Sequence, residues 1–284
     1  MVGIFKHSSS EKPSVTRLLK PFLICLTVVI FAKTEAQSTA SKQVTKFSIE
    51  ATELATTKQI WVYLPKSYAS SRKRYPVLYM HDAQNLFDAS TSYAGEWEID
   101  EYLDRIESPE SIIVGIEHGN EKRIDELTPF RHKEYGGGNG DNYLKFIKNT
   151  LKPYIDKTYR TKPRVEWTGI FGSSLGGLIS FYAMLKYPET FGRAGVFSPA
   201  FWINPEIYQI ATNATLPKSS KFYFLAGRTE SETMVTNIER MVDLLKQKGV
   251  PTTNTVVDIV ENGQHNEQFW GSQFGKAYQW LNKK

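Results

Sequence analysis

The chain has 284 residues, 40% of them hydrophobic and 23% charged, and a formal net charge of +5. That length can bury one sizeable core, and a single α/β domain of about 250 residues is an ordinary size. Residues 1–36 hold five Lys/Arg against two acids, which leaves the remainder at +2; its bases and acids are interspersed, so it offers no electrostatic footprint for a nucleic acid.

In chain order, residues 1–36 read as a secretory signal peptide. Lys6, Lys12, Arg17 and Lys20 precede the uncharged run "PFLICLTVVIFA", and Thr34 and Ala36 occupy the small-residue positions of a cleavage site. The run is too short to span a bilayer comfortably. Cleavage is expected after Ala36, leaving residues 37–284 as a single domain, secreted or periplasmic, with no stable membrane partner. The alternatives are an uncleaved anchor and a buried N-terminal helix. The only cysteine, Cys25, lies within the leader and follows Ile24, where a lipoprotein signal would have a small residue. A mature chain therefore has neither disulfide nor thiol chemistry.

Beyond the leader, short β-branched and aromatic runs alternate with helical patterns. Residues 43–50 and 58–64 read as a strand pair, followed by "YPVLYMH" (strand), "EWEIDEYLDRI" (helix) and "SIIVGIEH" (strand). A polar loop with "YGGGNGDN" leads to a helix over 142–159, the strand "VEWTGIF" and a helix over 175–187. Then come "RAGVFS" (strand), an irregular aromatic stretch "PAFWINPEIYQI", "KFYFLAG" (strand), a helix over 232–248, "TVVDIV" (strand) and a last helix through "EQFWGSQFGKAYQWL". This alternation predicts an α/β fold whose mainly parallel sheet is covered on both faces, with function beyond the carboxyl ends of its central strands.

In "GIFGSSLGGL", Gly172, Ser174 and Gly176 match G-x-S-x-G, whereas Ser173 has no glycine two residues before it. The bare pattern arises by chance in about one chain in ten of this length. Context makes it specific, because a nucleophilic serine needs a strand running in and a helix running out, with strained backbone angles between them. A glycine-rich turn without chemistry is the competing reading. A serine hydroxyl also needs a base, and the base needs a carboxylate to fix its tautomer. In the elbow type of hydrolase these follow in the order Ser, acid, His. Of the histidines beyond the leader (His81, His118, His132 and His265), only His265 follows the serine.

The acid is expected after "KFYFLAG", with Glu230 as first choice and Glu232 in reserve; either also suits the first turn of the next helix. Asp258, within the last strand, should face the sheet edge or solvent. Oxyanion donors are expected from the backbone N–H of Leu175 and of Gln84. His81 is placed at the mouth of the site, and His118 and His132 lie on loops.

The sequence resembles the esterase branch of the α/β-hydrolases, which includes S-formylglutathione hydrolase (esterase D), siderophore esterases, feruloyl and acetyl-xylan esterases and mycolyltransferases. The residues that carry the resemblance are "YMHDAQNLFD", "VGIEHGNEKRIDELTPF", "GDNYLKFIKNTLKPYIDKTYRT", "GIFGSSLGGLISFYAMLKYPETFGRAGVFSPAFW", "YFLAGRTESETM" and "ENGQHNEQFW". They extend over residues 45–282. The resemblance implies an α/β-hydrolase fold, a Ser174–Glu230–His265 triad and oxyanion donors at Leu175 and Gln84. One departure is Ala83, where many relatives have glycine.

The expected chemistry is ester hydrolysis through an acyl-enzyme, with no cofactor and no metal; H-x-H, H-E-x-x-H and C-x-x-C spacings are missing from the sequence. The expected partner is a small-molecule or oligosaccharide ester, with acylated carbohydrate preferred. A ferric-siderophore esterase and an acyltransferase using the same triad are the alternatives. Tyr93, Trp97, Phe130, Tyr135, Phe201 and Trp202 are aromatics on or near predicted loops that suit stacking on a substrate. His81, Arg131 and Trp202 are the candidate substrate contacts.

Overall fold

The computed structural model describes residues 37–283. The expected leader and its cleavage site after Ala36 lie outside the described residues. Eight strands form one sheet in the order β1-β2-β4-β3-β5-β6-β7-β8. They are β1 (Val44–Ala51), β2 (Thr56–Tyr63), β3 (Val77–His81), β4 (Ile112–Ile116), β5 (Thr168–Ser173), β6 (Arg193–Phe197), β7 (Lys221–Gly227) and β8 (Thr255–Val260). The β1·β2 and β2·β4 pairs are antiparallel, and every pair from β4 across to β8 is parallel. The helices are α1 (Ile99–Arg105), α2 (Arg123–Leu127), α3 (Gly140–Lys145), α4 (Lys152–Thr158), α5 (Leu175–Lys186), α6 (Glu206–Asn213), α7 (Met234–Gln247) and α8 (Glu267–Asn282).

Successive side chains on a strand point to opposite faces, and here both faces are apolar. Val77 and Tyr79 of β3 belong to the core layer that also holds residues of α3, α5, α6 and α7, whereas Leu78 and Met80 belong to the layer with Ile99 and Leu103 of α1 and Phe274 and Tyr278 of α8. The same split separates Ile170 from Phe171 in β5 and Phe224 from Leu225 in β7. This double burial explains why the central strands read as nearly unbroken hydrophobic runs.

Four local features depart from the sequence expectations. The helix expected over 142–159 begins at Gly140 and winds as a π-helix over Phe146–Leu151 before α4. Pro153 there cannot supply the N–H that an unbroken α-helix requires. Val165–Trp167 forms a 3-10 turn, so β5 starts at Thr168. The stretch expected to be irregular around residue 206 contains α6, which follows Pro205 and buries Ile207, Tyr208 and Ala211. The short helix α2 lies in what reads as polar loop.

Candidate active site

The parallel strands all deliver their carboxyl ends to one edge of the sheet, and the candidate site is assembled from the segments that follow β3, β4, β5, β7 and β8. After β5, Ser174 adopts φ 56° and ψ −118° and caps α5. That conformation is strained for a residue with a Cβ. It is held by the Ser174 N–H donating to the Phe197 carbonyl at 2.9 Å and by the Ser174 carbonyl accepting from Leu178 and Ala200 N–H.

The glycines around this turn have unequal reasons to be glycine. A Cβ on Gly172 would stand 2.7 Å from the Gly176 carbonyl carbon, and one on Gly177 would stand 2.6 Å from the Phe197 oxygen. A Cβ on Gly176 would meet nothing nearer than 3.4 Å. The second glycine of the motif is thus not sterically required; its neighbour Gly177 is the position pressed against β6.

His265, between β8 and α8, presents its Nδ1 to Glu230 Oε2 at 2.8 Å. The Glu230 side chain is fully buried. Its other oxygen accepts from the Gly227 N–H at 2.5 Å and from Ser198 Oγ at 2.8 Å. Ser198 in turn accepts from Trp270 Nε1 at 2.8 Å, and the Trp270 ring stands edge-on to His265 at 4.9 Å. Glu232, the reserve acid, is exposed and makes no contact with His265 among the described hydrogen bonds. Asp258 lies on the edge strand, accepting from Tyr223 and pairing with Lys276.

Ser174 and His265 line one cleft of about 610 Å³, together with Gln84, Asn85, Thr91, Ser92, Tyr93, His118, Asn120, Arg123, Glu267 and Trp270. No hydrogen bond joins Ser174 to His265 among the described residues. Such contacts are often long before substrate arrives.

The two backbone N–H groups expected as oxyanion donors have no acceptor among the described hydrogen bonds. Leu175 is the first residue of α5, where N–H groups have no intrahelical acceptor. Gln84 is the middle residue of a 3-10 turn whose bonds run from Asn85 to Asp82 and from Leu86 to Ala83, bypassing its own N–H. The Gln84 side chain also accepts from the His118 N–H at 3.2 Å, tying the two cleft loops together. Ala83 is not among the residues with positive φ, whereas Asp82 before it has φ 57°. The Ala83 methyl is buried beside Gly115.

The cleft contains a charged pair that sequence reasoning missed. Arg123 donates through Nε and Nη2 to both Asp82 oxygens at 2.7 and 2.8 Å. Burial pushes the Asp82 carboxyl up, but the guanidinium outweighs it and holds the group below its ordinary range. Burial keeps the His118 imidazole below its usual range, although Asp82 pulls the other way. Glu267 is raised, chiefly by burial, with Asp82 adding to the effect. Behind the His118 loop lies a buried ion pair, Lys58 Nζ to Glu126 Oε2 at 2.8 Å, whose carboxylate also accepts from the Gly119 N–H. Neither Arg123 nor Ser198 belongs to a local pattern that spacing could reveal.

One expected substrate contact, His81, is corrected, and the other two lie outside the cleft lining. His81 is buried beneath the cleft rather than at its mouth, with Nδ1 against Tyr143 Oη at 2.7 Å and Nε2 against Ser180 Oγ at 3.1 Å. Its position as the last residue of β3 turns it into the layer beneath α5. Arg131 and Trp202 are exposed and line no part of the cleft. The loop bearing Arg131 closes on itself through His132 and Gly136, and Trp202 packs edge-on against His132 and Tyr135.

Residues 51–281 match the family described as "Putative esterase". The chain belongs to this esterase family. Among curated proteins, it is 28% identical over 238 residues to the uncharacterized protein YbbA of Bacillus subtilis, covering 79% of this chain and 92% of that protein. It is also 28% identical over 163 residues to the ferri-bacillibactin esterase BesA of the same organism, covering 47% of this chain and 50% of BesA. Among solved structures, a ferulic acid esterase superposes with a TM-score of 0.64 at 19% identity, covering 84% of this chain and 96% of that one. Esterase-family membership makes the protein a hydrolase acting on esters, built on an α/β-hydrolase fold. Among the described residues, no helix is long and apolar enough to cross a membrane.

Proposed function

We propose that this esterase is an exported serine hydrolase that cleaves carboxylic esters of acylated carbohydrates through an acyl-enzyme, with Ser174, Glu230 and His265 as its triad. The observation that carries the reading is the 2.8 Å Glu230–His265 contact opening onto the same cleft as a serine in an elbow conformation. Ser174 Oγ attacks the ester carbonyl carbon while His265 Nε2 takes its proton. Glu230 on Nδ1 fixes the tautomer that leaves Nε2 free and stabilises the imidazolium that forms. The oxyanion is received by the N–H groups of Leu175 and Gln84. Collapse of the tetrahedral intermediate expels the alcohol, which His265 protonates. Water then attacks the acyl-enzyme with His265 again as base, releasing the acid and restoring Ser174. The chain's own residues and water supply every proton and electron pair in this cycle.

The preference for a polyhydroxylated alcohol rests on the lining. Gln84, Asn85, Thr91, Ser92, Asn120, Arg123 and Glu267 present hydrogen-bonding groups, while Tyr93 on the rim and Trp270 supply the aromatic surface. Export rests on the leader read from residues 1–36. A panel of p-nitrophenyl acetate, butyrate and octanoate, methyl ferulate, acetylated xylan and ferric enterobactin tests the proposal, run on wild type and Ser174→Ala with a sugar acceptor competing against water. Short-chain and carbohydrate esters should be hydrolysed, and the Ser174→Ala rate should fall about 10³-fold or more. Preference for the ferric siderophore, or transfer of the acyl group to the sugar acceptor, would overturn the assigned substrate class or reaction. Undiminished activity in Ser174→Ala would overturn the nucleophile.

A further inference from the structure

On the α1 side of the sheet, away from the residues that line the cleft, three carboxylates converge without a counter-charge. Glu96, Asp100 and Glu101 bring one oxygen each to within 4.8 Å of the others. Glu96 Oε1, Asp100 Oδ1 and Glu101 Oε2 are all buried and have no hydrogen-bond partner. None of the three side chains takes part in an ion pair among the described residues. Asp100 is 0% exposed, so its free Oδ1 has no solvent to turn to. A buried carboxylate oxygen left without a donor is costly, and three in one place require an explanation. Burial drives the Asp100 carboxyl up to about 8, with Glu101 adding to the rise, and Glu96 is also raised by burial.

Two of the remaining oxygens of the group are already occupied by the segment that leads into β1. Thr39 Oγ1 donates to Glu96 Oε2 at 2.9 Å, and the Ser41 N–H donates to Asp100 Oδ2 at 2.6 Å. Asp88 anchors the same segment, accepting from Ser38 Oγ at 2.6 Å and from the Thr39 N–H at 3.3 Å. The three oxygens left without partners are buried, and the strap at residues 38–41 holds the other oxygen of both Glu96 and Asp100. Calcium binds oxygen ligands at roughly 2.4 Å, so any two oxygens on one ion stand no more than about 4.8 Å apart, a limit these three satisfy. Magnesium prefers shorter contacts and keeps most of its waters, which suits an enclosed set of carboxylates less well.

We propose that Glu96, Asp100 and Glu101 form a structural calcium site that joins α1 to the strap at residues 38–41. The site is distinct from the candidate triad and takes no part in the ester chemistry. It stands at the end of the loop that carries Thr91, Ser92 and Tyr93 along the cleft. That loop is fastened further by the Trp97 N–H donating to the Asn85 carbonyl and the Ile99 N–H to the Leu86 carbonyl. Sequence spacing gave no warning, because a pair of adjacent acids four and five residues after a third matches no metal-binding motif.

The test uses the full chain stripped with a chelator and titrated with calcium chloride alone, followed by calorimetry and thermal melting. A parallel titration with terbium chloride uses emission excited through tryptophan, since Trp97 adjoins Glu96. The proposal expects one equivalent of calcium and tryptophan-sensitised terbium emission that calcium displaces. It also expects a melting temperature raised by about 5–10 °C at a hundredfold excess over Kd. Asp100→Asn and Glu101→Gln should each weaken calcium binding by about tenfold or more. Absence of saturable calcium and terbium binding to wild type would overturn the site, as would wild-type affinity in Glu101→Gln. A metal-indifferent Asp100→Asn that melts above a metal-indifferent wild type would show instead that Asp100 and Glu101 share a proton.

Discussion

Ser198 shows how much of the candidate triad depends on a residue outside it. Its hydroxyl donates to Glu230 Oε1 and accepts from Trp270 Nε1, so it stands between the buried acid and the ring that flanks His265. Hydrogen bonds to charged groups contribute about 1.5–3 kcal/mol. Ser198→Ala is therefore expected to lower kcat by about tenfold or more with little change in KM, because the lost bond orients Glu230 rather than substrate. A fall confined to KM would remove Ser198 from that role. His81 yields a second residue-scale expectation. Burial lowers its folded-state value to about 4, below the 6.5 or so of an unfolded chain. The unfolded state thus binds the extra proton first. Any stability that depends on a neutral His81 is intact above pH 6.5 and declines as pH falls from there towards 4, by about 3 kcal/mol at most. Urea titrations of wild type and His81→Gln across this range should show a steeper acid loss in wild type; parallel curves would contradict the assignment.

At the scale of elements, the strand–turn–helix unit at residues 168–186 carries the reading and was the most legible part of the sequence. Its apolar strand, paired serines and long apolar helix are all local signals. What the sequence could not separate was the duty of neighbouring glycines, since that depends on how closely α5 approaches β6. Gly177→Ala would drive a methyl against the Phe197 carbonyl and should cost about 1–3 kcal/mol. Gly176→Ala meets only ordinary contacts and gains helix propensity, so its stability should hold or rise by up to about 1 kcal/mol. Equal losses in the two variants, measured by urea unfolding, would contradict this division. The strands β7 and β8 and the helix α8 were legible for the same local reason. By contrast, α6 is eight residues long and hides among aromatics that read as loop. Arg123, Asp82 and Glu267 come from segments after three different strands and meet only in the folded chain. Arg131 and Trp202 lie outside the lining of the cleft, and Trp202 packs against His132 and Tyr135, an arrangement that loop composition alone does not reveal.

For the whole molecule, sheet topology does the assembling. The parallel block from β4 to β8 sends His118, Gln84, Ser174, Glu230 and His265 to one edge from residues separated by up to 181 positions in the chain. Strand alternation made that architecture readable, because a doubly covered sheet requires apolar residues on both faces. Shape and polarity within the cleft were not readable, since they arise from loops whose order in space follows the sheet and not the sequence. This architecture is expected to activate one serine out of the adjacent pair. The most direct test is covalent labelling of the intact protein with a fluorophosphonate, with the modified residue located by peptide mass spectrometry. A single stoichiometric adduct is expected on Ser174, nearly lost in His265→Ala and retained in Ser173→Ala. An adduct on Ser173, or labelling of Ser174 that is indifferent to His265, would contradict it.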